Sequence, residues 1–222
     1  MSEIGAERQA RVREMLSCRL GSVTAVVEAV HRRHNTSAIL RSCEAFGVHE
    51  VQMVSGEFQP SRGAARGAER WLQLERHAHT TPCVRSLKAR GFRVFVADLV
   101  EGAHTVDTLP VDKPVAVLFG SEMVGVSEEA RAVADGAVTV PMWGLTESLN
   151  VSVAAACILQ RTTTRRRDFI GSAGDLDPAR QQAFFDAWVI AETQARIARR
   201  SRVGEPDRDP CPATEDAPRP GE

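Results

Sequence analysis

Short apolar runs alternate with segments of helical length along most of this chain of 222 residues, and this alternation constrains the fold more than any other feature. The runs that we interpret as strands are VTAVVEAV, HEVQMVS, FRVFVADLV, PVAVLFG and AVTVPM. PVAVLFG is apolar throughout, as is typical of a strand buried on both faces of a parallel sheet. Strands that alternate with helices in this way indicate an α/β fold with a mainly parallel sheet.

Residues with known capping preferences mark the predicted helix boundaries. An amphipathic helix of about Glu7–Cys18 precedes the first strand. Asn35 is predicted to cap a helix that runs to Phe46, where Gly47 supplies the stop signal. A long helix is predicted to begin near Ser148, at the end of the loop that follows AVTVPM.

The same patterns divide the chain into four predicted regions. We expect an N-terminal helical extension at 1–22, the main domain at 23–170, a C-terminal helical extension at 171–203 and an acidic tail at 204–222. The C-terminal extension contains a predicted helix, Pro178–Arg202, whose Phe and Trp side chains need a covering surface. The tail is rich in proline and acid and lacks apolar residues, so we predict that it is disordered.

Composition excludes several classes of protein. Apolar residues make up 43% of the chain, which is enough for a core, yet no apolar run approaches the roughly 18 residues of a membrane span. The N-terminus is charged and has no apolar segment of a signal peptide, so we expect a cytoplasmic protein. Five scattered cysteines without a CxxC pair disfavour a disulfide framework or a zinc site, and we predict no metal ligands.

Charge is distributed unevenly along the sequence. The formal net charge is −1, and the segment from Glu205 onward carries −4, so the first 204 residues carry +3. Only Lys88 and Lys113 are lysines, so 26 of the 28 basic residues are arginine, the side chain that binds phosphate through two parallel donors. A GC-rich genome gives the same bias. The charge pattern is therefore compatible with a nucleic-acid partner without requiring one.

Three segments carry features beyond those of ordinary α/β loops. GSEMVGVS, from Gly120 to Ser127, follows a buried strand and precedes a helix, where α/β proteins bind phosphates and nucleotides. Its glycine spacing resembles that of a Walker A loop. However, Val126 stands where that loop needs lysine, and the chain has no GxGxxG motif, so ATPase and Rossmann dinucleotide functions are both excluded.

The other two segments are HNTSAILRSCEAFGVHEV, which starts at His34, and VPMWGLTESLNVSVAAA, which starts at Val140. In the second, Ser148, Leu149 and Asn150 stand at the junction of a loop and a helix, where a simple cap needs one polar residue. Small side chains follow at the start of the helix. This pattern predicts close packing against either protein or ligand.

Together the three segments resemble the motifs of the SpoU family of SPOUT-class RNA methyltransferases. The matching stretches are Asn35–Arg41, Gly120–Gly125 and Val140–Ala154, in the family's order and at suitable spacing. The leader AVHRRHNTSAILRSCEAFGVHEV is especially similar to TrmH-type tRNA (guanosine-2′-O)-methyltransferases, although Thr36 stands where valine is common. The resemblance implies transfer of a methyl group from S-adenosylmethionine to a ribose 2′-hydroxyl, with guanosine 18 of the tRNA D-loop as the expected target.

The resemblance also implies a deep trefoil knot in the C-terminal part of the domain, an exception to the rule that chains avoid knots. The cofactor would lie in the knot against three loops. The residues expected to bind it are Ala97, Gly120, Glu122, Gly125, Val140, Met142, Ser148 and Leu149. A close approach to the cofactor would explain the missing side chains of Gly120, Gly125 and Gly144.

The catalytic residues implied by the resemblance are Arg41, Asn35, Glu122, Ser148 and Asn150. A guanidinium normally stays protonated, so Arg41 is an awkward base. Arg41 would act either as a transiently neutral base beside the substrate phosphate, or as a permanent cation that stabilises the developing oxyanion. We prefer the second role on electrostatic grounds.

Contacts with tRNA are expected from arginines near the motifs and at the chain's end: Arg32, Arg33, Arg62, Arg66, Arg70, Arg166 and Arg199. The family implies a homodimer, with the knot region and the helix of Trp188 as candidate interfaces. Two alternatives stay open at this point. One is a ribosomal RNA 2′-O-methyltransferase of the same family, and the other is a catalytically silent RNA-binding relative.

Overall fold

The computed structural model of the chain describes residues 4–30, 32–54, 67–121 and 123–202, the last four of these without their side chains. Several predicted features therefore lie outside the described residues: Glu122, Arg62, Arg66, the side chain of Arg199 and the tail at 204–222.

A seven-stranded sheet forms the centre of the described structure. Its strands are Leu20–Glu28 (β1), Val48–Val54 (β2), Gln73–His77 (β3), Arg93–Ala97 (β4), His104–Thr105 (β5), Val115–Phe119 (β6) and Gly136–Thr139 (β7). They are ordered β3-β2-β1-β6-β4-β7-β5, and every pairing between them is parallel. The predicted α/β fold with a mainly parallel sheet is confirmed.

The two edge strands, β3 and β5, were not predicted. β3 contains a single apolar residue, Leu74, among polar and charged ones. β5 has only two residues, which are too few to show a periodicity. An edge strand is paired on one side only, and neither of these two carries an apolar run that a sequence pattern could detect.

Among the described residues, six α-helices cover or flank the sheet: Ala6–Ser17 (α1), Arg33–Ala45 (α2), Thr80–Ala89 (α3), Glu128–Val133 (α4), Val151–Ile170 (α5) and Pro178–Arg202 (α6). A short 3₁₀ helix spans Ala68–Trp71. One apolar cluster joins the sheet to α2 and α5, and a second joins its other face to α3 and α4. Burial on both faces explains why β6 is apolar throughout. None of the described helices is long and apolar enough to cross a membrane.

The glycine stop of α2 is confirmed, but the predicted cap at its start is wrong. The helix ends at Ala45, and Gly47 takes a left-handed φ of +78° directly after the C-cap residue Phe46. At the other end α2 begins at Arg33, so Asn35 is the third helical residue and its side chain is buried. The sequence placed the cap three residues late, at Asn35 instead of Arg32, because Asn35 has a strong capping preference, while its packing position requires a side chain that points inward.

The two extensions pack against each other. Val12 and Leu16 of α1 form a small apolar cluster with Phe185 and Trp188 of α6. Trp188 is only 9% exposed, so its own chain supplies the cover that the sequence required. Trp188 itself is therefore covered within its own chain, whereas Ile190 and Ile197 of the same helix are exposed, and the helix as a subunit interface stays a prediction.

Buried charge also fastens α6 to the sheet. Glu50 of β2 accepts two hydrogen bonds from Arg90 after α3, at 2.6 and 3.0 Å, and one from Arg180 of α6 at 2.6 Å. These bonds outweigh the effect of burial and lower the pKa of Glu50 below its ordinary value. Glu50 thus adds a charged contact between α6 and the sheet to the apolar contact between α6 and α1.

Candidate active site

A cleft of about 440 Å³ opens at the carboxyl ends of the central strands, within the range typical of small-molecule sites. Because every strand pair is parallel, the loops that leave β4, β6 and β7 meet at this one edge. The structure brings together there seven of the eight predicted cofactor residues: Ala97, Gly120, Gly125, Val140, Met142, Ser148 and Leu149. The eighth, Glu122, lies outside the described residues.

The glycine loop after β6 folds back on itself. Ser121 and Gly125 exchange two backbone hydrogen bonds, at 2.8 and 2.9 Å, which close the loop into a tight bridge. A Cβ atom on Gly120 would collide with the backbone of Gly125 and Val126, and Gly125 itself takes a left-handed φ of +73°. Both glycines are therefore required by the loop's own backbone.

Gly144 does not share this constraint. The nearest atom that a Cβ there would meet is the backbone nitrogen of Thr146, at 4.0 Å. The protein's own atoms therefore do not require glycine at 144, and close approach of the cofactor there stays a prediction. Close approach by the protein itself accounts for Gly120, and backbone conformation accounts for Gly125.

A buried carboxylate holds the end of the glycine loop. Glu28, the last residue of β1, accepts hydrogen bonds from the backbone nitrogen and hydroxyl of Ser127, at 3.1 and 2.8 Å, and from the hydroxyl of Thr80. Ser127 in turn caps α4 by accepting from the backbone nitrogen of Ala130 at 3.0 Å. The glycine loop is thereby fixed to the sheet immediately after it ends.

Two predicted catalytic residues from distant motifs meet beside the cleft. The side-chain nitrogen of Asn150 lies 3.3 Å from Oδ1 of Asn35, to which it donates a hydrogen bond. Oδ1 of Asn150 also accepts from the backbone nitrogen and hydroxyl of Ser152, at 2.9 and 2.7 Å, and so caps α5. Asn150 therefore has a structural role in the Val140–Ala154 segment, because it caps α5 and links that helix to α2 through Asn35.

Arg41 stands apart from the other predicted catalytic residues. It lies six residues after Asn35 on α2, about 9 Å farther along the helix axis and on a different face. It is exposed, and it is not among the described residues that line the cleft. The structure thus separates the predicted catalytic arginine from the cofactor cleft of its own chain.

The cleft contains two charged residues whose placement the sequence analysis missed. Arg32, predicted only as an RNA contact, is exposed at the start of α2 and lines the cleft. Asp98, which was not predicted at all, lines it at the end of β4 and pairs with Arg131 of α4 at 2.7 Å. This hydrogen bond raises the pKa of Arg131 above its ordinary value. An acidic residue at the end of a predicted strand is the signal that could have found Asp98.

Of the remaining predicted RNA contacts, Arg33 and Arg70 are exposed, as such a role requires. Arg166 is instead buried. It donates hydrogen bonds from Nε to the Ser22 hydroxyl at 2.9 Å and from Nη1 to the Val111 carbonyl at 2.7 Å. A guanidinium committed to the interior cannot bind a phosphate at the surface. The structure therefore argues against Arg166 as an RNA contact.

The lining of the cleft fits the cofactor that the resemblance implies. Val138, Val140, Leu149 and Ile158 offer an apolar wall for an adenine ring, while the backbone of three loops and the polar side chains of Ser148 and Asn150 offer hydrogen bonds. Within the described part of the chain, no cluster of His, Cys, Asp or Glu side chains could hold a metal ion.

Comparison with known proteins identifies the family. The sequence profile of the SpoU rRNA Methylase family matches residues 22–160. A tRNA (guanosine(18)-2′-O)-methyltransferase of Thermus thermophilus is 41% identical over 192 residues, which cover 85% of this chain and 99% of that protein. The enzyme of the same name from Escherichia coli is 37% identical over 163 residues, 72% of this chain and 71% of the other.

Solved structures agree with the sequence comparison. The TrmH/SpoU tRNA modifying enzyme of A. aeolicus superposes with a TM-score of 0.77 at 29% identity, over 84% of this chain and 96% of that one. The profile match spans more than half of the chain and includes all three motif segments. This chain belongs to the SpoU methylase family.

Proposed function

We propose that this protein is a tRNA methyltransferase that transfers a methyl group from S-adenosylmethionine to the 2′-hydroxyl of guanosine 18. The observation that carries the proposal is that two motif segments, Gly120–Gly125 and Val140–Ala154, line one cleft whose lining suits that cofactor, while Asn35 of the third segment contacts Asn150 beside it. The names of the Thermus thermophilus and Escherichia coli relatives support the choice of tRNA and of guanosine 18 over ribosomal RNA.

The proposed chemistry needs an electrophilic methyl group held in line with a ribose oxygen. S-adenosylmethionine supplies that methyl group when bound. The Gly120–Gly125 loop and the Val140–Leu149 loop hold the cofactor, while Asn35 and Asn150 keep α2 and α5 together at the cleft. Arg41 stays protonated, positions a tRNA phosphate and stabilises the negative charge that develops on the 2′-oxygen as the hydroxyl proton passes to solvent water.

The active enzyme is proposed to be a homodimer. Large apolar side chains near the cleft are left in solvent: Trp143 is 97% exposed, and Leu145 and Val153 are also exposed. An exposed apolar patch of this kind is typical of an interface, and a second copy of the chain is the occupant that we propose. Since Arg41 lies outside the cleft of its own chain, we propose that it completes the cleft of the partner.

Transfer of a tritiated methyl group to unmodified tRNA transcripts tests the substrate. We expect labelling of a transcript with guanosine 18 and none of a matched transcript with 2′-deoxyguanosine at that position, because the acceptor oxygen is then missing. Labelling of ribosomal RNA but not of tRNA would contradict the substrate assignment. Tight tRNA binding without any transfer would identify a silent RNA-binding relative.

The role of Arg41 is tested by mixing two inactive variants. Arg41→Ala has an intact cleft, whereas Asn150→Ala has an intact Arg41. If the arginine acts across the dimer, a mixed dimer contains one complete site, and re-equilibrated mixtures should regain about a quarter of wild-type activity. Sedimentation should show a dimer. Failure of the mixture to regain activity would mean that Arg41 serves its own cleft.

We also propose tRNA contacts, a knot and a cellular location for this protein. Arg33 and Arg70, with Arg62, Arg66 and Arg199, are proposed to contact tRNA phosphates, so binding should weaken steeply with added salt. We propose that the domain contains the trefoil knot typical of SPOUT enzymes, between helical extensions at 1–22 and 171–203. The enzyme would meet its tRNA substrate in the cytoplasm.

A further inference from the structure

Asp98 is a carboxylate in the cleft for which neither the motifs nor the proposed mechanism has a role. It follows Ala97 at the end of β4, and its backbone nitrogen donates to the Val138 carbonyl at 3.1 Å, which extends the pairing with β7. Its side chain is 17% exposed. The rigid sheet therefore sets the position of Asp98.

Two hydrogen bonds orient the carboxylate. Oδ1 accepts from the backbone nitrogen of Leu99 at 2.9 Å, and Oδ2 accepts from Nε of Arg131 at 2.7 Å. Each carboxylate oxygen has two lone pairs, so both oxygens keep acceptor capacity after these bonds are made. The side chain is thus held in place and still able to accept from a ligand.

The pairing with Arg131 decides what kind of ligand group suits Asp98. Its negative charge is already balanced by a guanidinium, so it offers a further cation, such as an ammonium group, little net attraction. A neutral hydroxyl can still donate a charge-assisted hydrogen bond to the Asp98 carboxylate, because this bond does not require the carboxylate to carry an unbalanced charge. In nucleoside-binding α/β folds, an acidic residue near a strand's carboxyl end accepts from ribose hydroxyls.

We propose that Asp98 is a cofactor-binding residue that accepts hydrogen bonds from the ribose hydroxyls of the adenosine moiety of S-adenosylmethionine. The inference rests on the proposed function, because it takes that cofactor as the occupant of the cleft. In this arrangement Arg131 is a positioning residue, which fixes the carboxylate and touches no ligand.

Calorimetry with two ligands tests the proposal without any measurement of activity. The probes are S-adenosylhomocysteine and its analogue with a 2′,3′-dideoxyribose. Wild type should bind the analogue about tenfold or more weakly, since hydrogen bonds to a charged group are lost. Asp98→Ala should bind S-adenosylhomocysteine weakly to a similar degree and show no further loss with the analogue.

Arg131→Met is the matched control, because it removes the ion pair and keeps the carboxylate. Its preference for the hydroxylated ligand over the analogue should persist. Thermal melting verifies that the variants fold, and Asp98→Asn, which keeps the side chain's shape, replaces Asp98→Ala if that variant does not. The asparagine can offer only one acceptor oxygen, so its discrimination between the ligands should be reduced.

The possible failures are distinguishable. If Asp98→Ala loses affinity equally for both ligands, Asp98 does not bind the ribose hydroxyls. The same conclusion follows if the loss disappears only with an analogue that lacks the α-amino group of the cofactor's amino-acid part. If wild type binds neither S-adenosylmethionine nor S-adenosylhomocysteine, the proposed function fails, and the assignment of Asp98 fails with it.

Discussion

Replacement of Gly120 by alanine should open the glycine loop and weaken cofactor binding while the rest of the fold survives. The added Cβ would collide with the backbone of Gly125 and Val126, and backbone atoms cannot turn aside as a flexible side chain can. The chain can relieve the collision only by separating the two sides of the loop. That movement breaks the two hydrogen bonds between Ser121 and Gly125.

The expected magnitude follows from these contacts. Two hydrogen bonds at about 1 kcal/mol each set the cost of opening the loop near 2 kcal/mol. For a chain of this length, that loss should lower the melting temperature by about 4–8 °C. If the cofactor binds only to the closed loop, the loop must close against the added Cβ when the cofactor binds. That overpacking costs about 1–3 kcal/mol, which corresponds to an affinity loss of about 5- to 150-fold.

Two neighbouring glycines provide graded controls for the calorimetric titration with S-adenosylhomocysteine. Gly125→Ala meets no atom within 4 Å but is strained by its φ of +73°, so we expect an intermediate loss of affinity. Gly144→Ala meets only the Thr146 nitrogen at 4.0 Å and should bind almost like wild type. Affinity should therefore fall in the order Gly144→Ala, Gly125→Ala, Gly120→Ala.

The reasoning is refuted if Gly120→Ala binds S-adenosylhomocysteine as tightly as wild type. It is also refuted if Gly144→Ala is the more damaging of the two substitutions. Either result would mean that the closed loop does not shape the cofactor site.

Three further predictions concern stability and RNA binding. Glu50→Ala should lower the free energy of unfolding, measured with denaturant, by about 3 kcal/mol. The loss is limited because the two arginine partners of Glu50 are about a third exposed. A change below about 1 kcal/mol would contradict the role of Glu50 in holding α6 to the sheet. Burial lowers the pKa of His49 from 6.5 to about 4, so between pH 7 and pH 5 the unfolded chain takes up a proton at His49 and the folded chain does not. The free energy of unfolding should therefore fall by about 2 kcal/mol from pH 7 to pH 5. His49→Gln should flatten this part of the curve of unfolding free energy against pH. Arg166→Ala should destabilise the fold by about 3 kcal/mol in a melting assay yet leave the tRNA affinity of the folded protein unchanged. Arg33→Ala should weaken tRNA binding in a filter-binding assay and leave stability unchanged. The opposite pattern would identify Arg166 as an RNA contact.

The sequence by itself determined the class of fold and the identity of eight of the twenty described residues that line the cleft. Strand and helix periods are local properties, so the alternation of apolar runs with helices predicted the parallel sheet. Two of the three motif segments predicted seven of the twenty described residues that line the cleft. Gly47 was recognised as a helix stop because the left-handed conformation that it takes is a local requirement.

Other features depend on contacts between residues far apart in the chain, which no local pattern records. Arg33 and Arg166 look alike in the sequence, but one is exposed and the other donates its hydrogen bonds to groups on distant segments of the chain. Burial of Asn35 against α5 overrode its capping preference. The order of the strands brought Asp98 to the cleft, because that order decides which loops share an edge of the sheet. Arg41 lies outside the cleft because it is farther along α2, on a different face from Asn35.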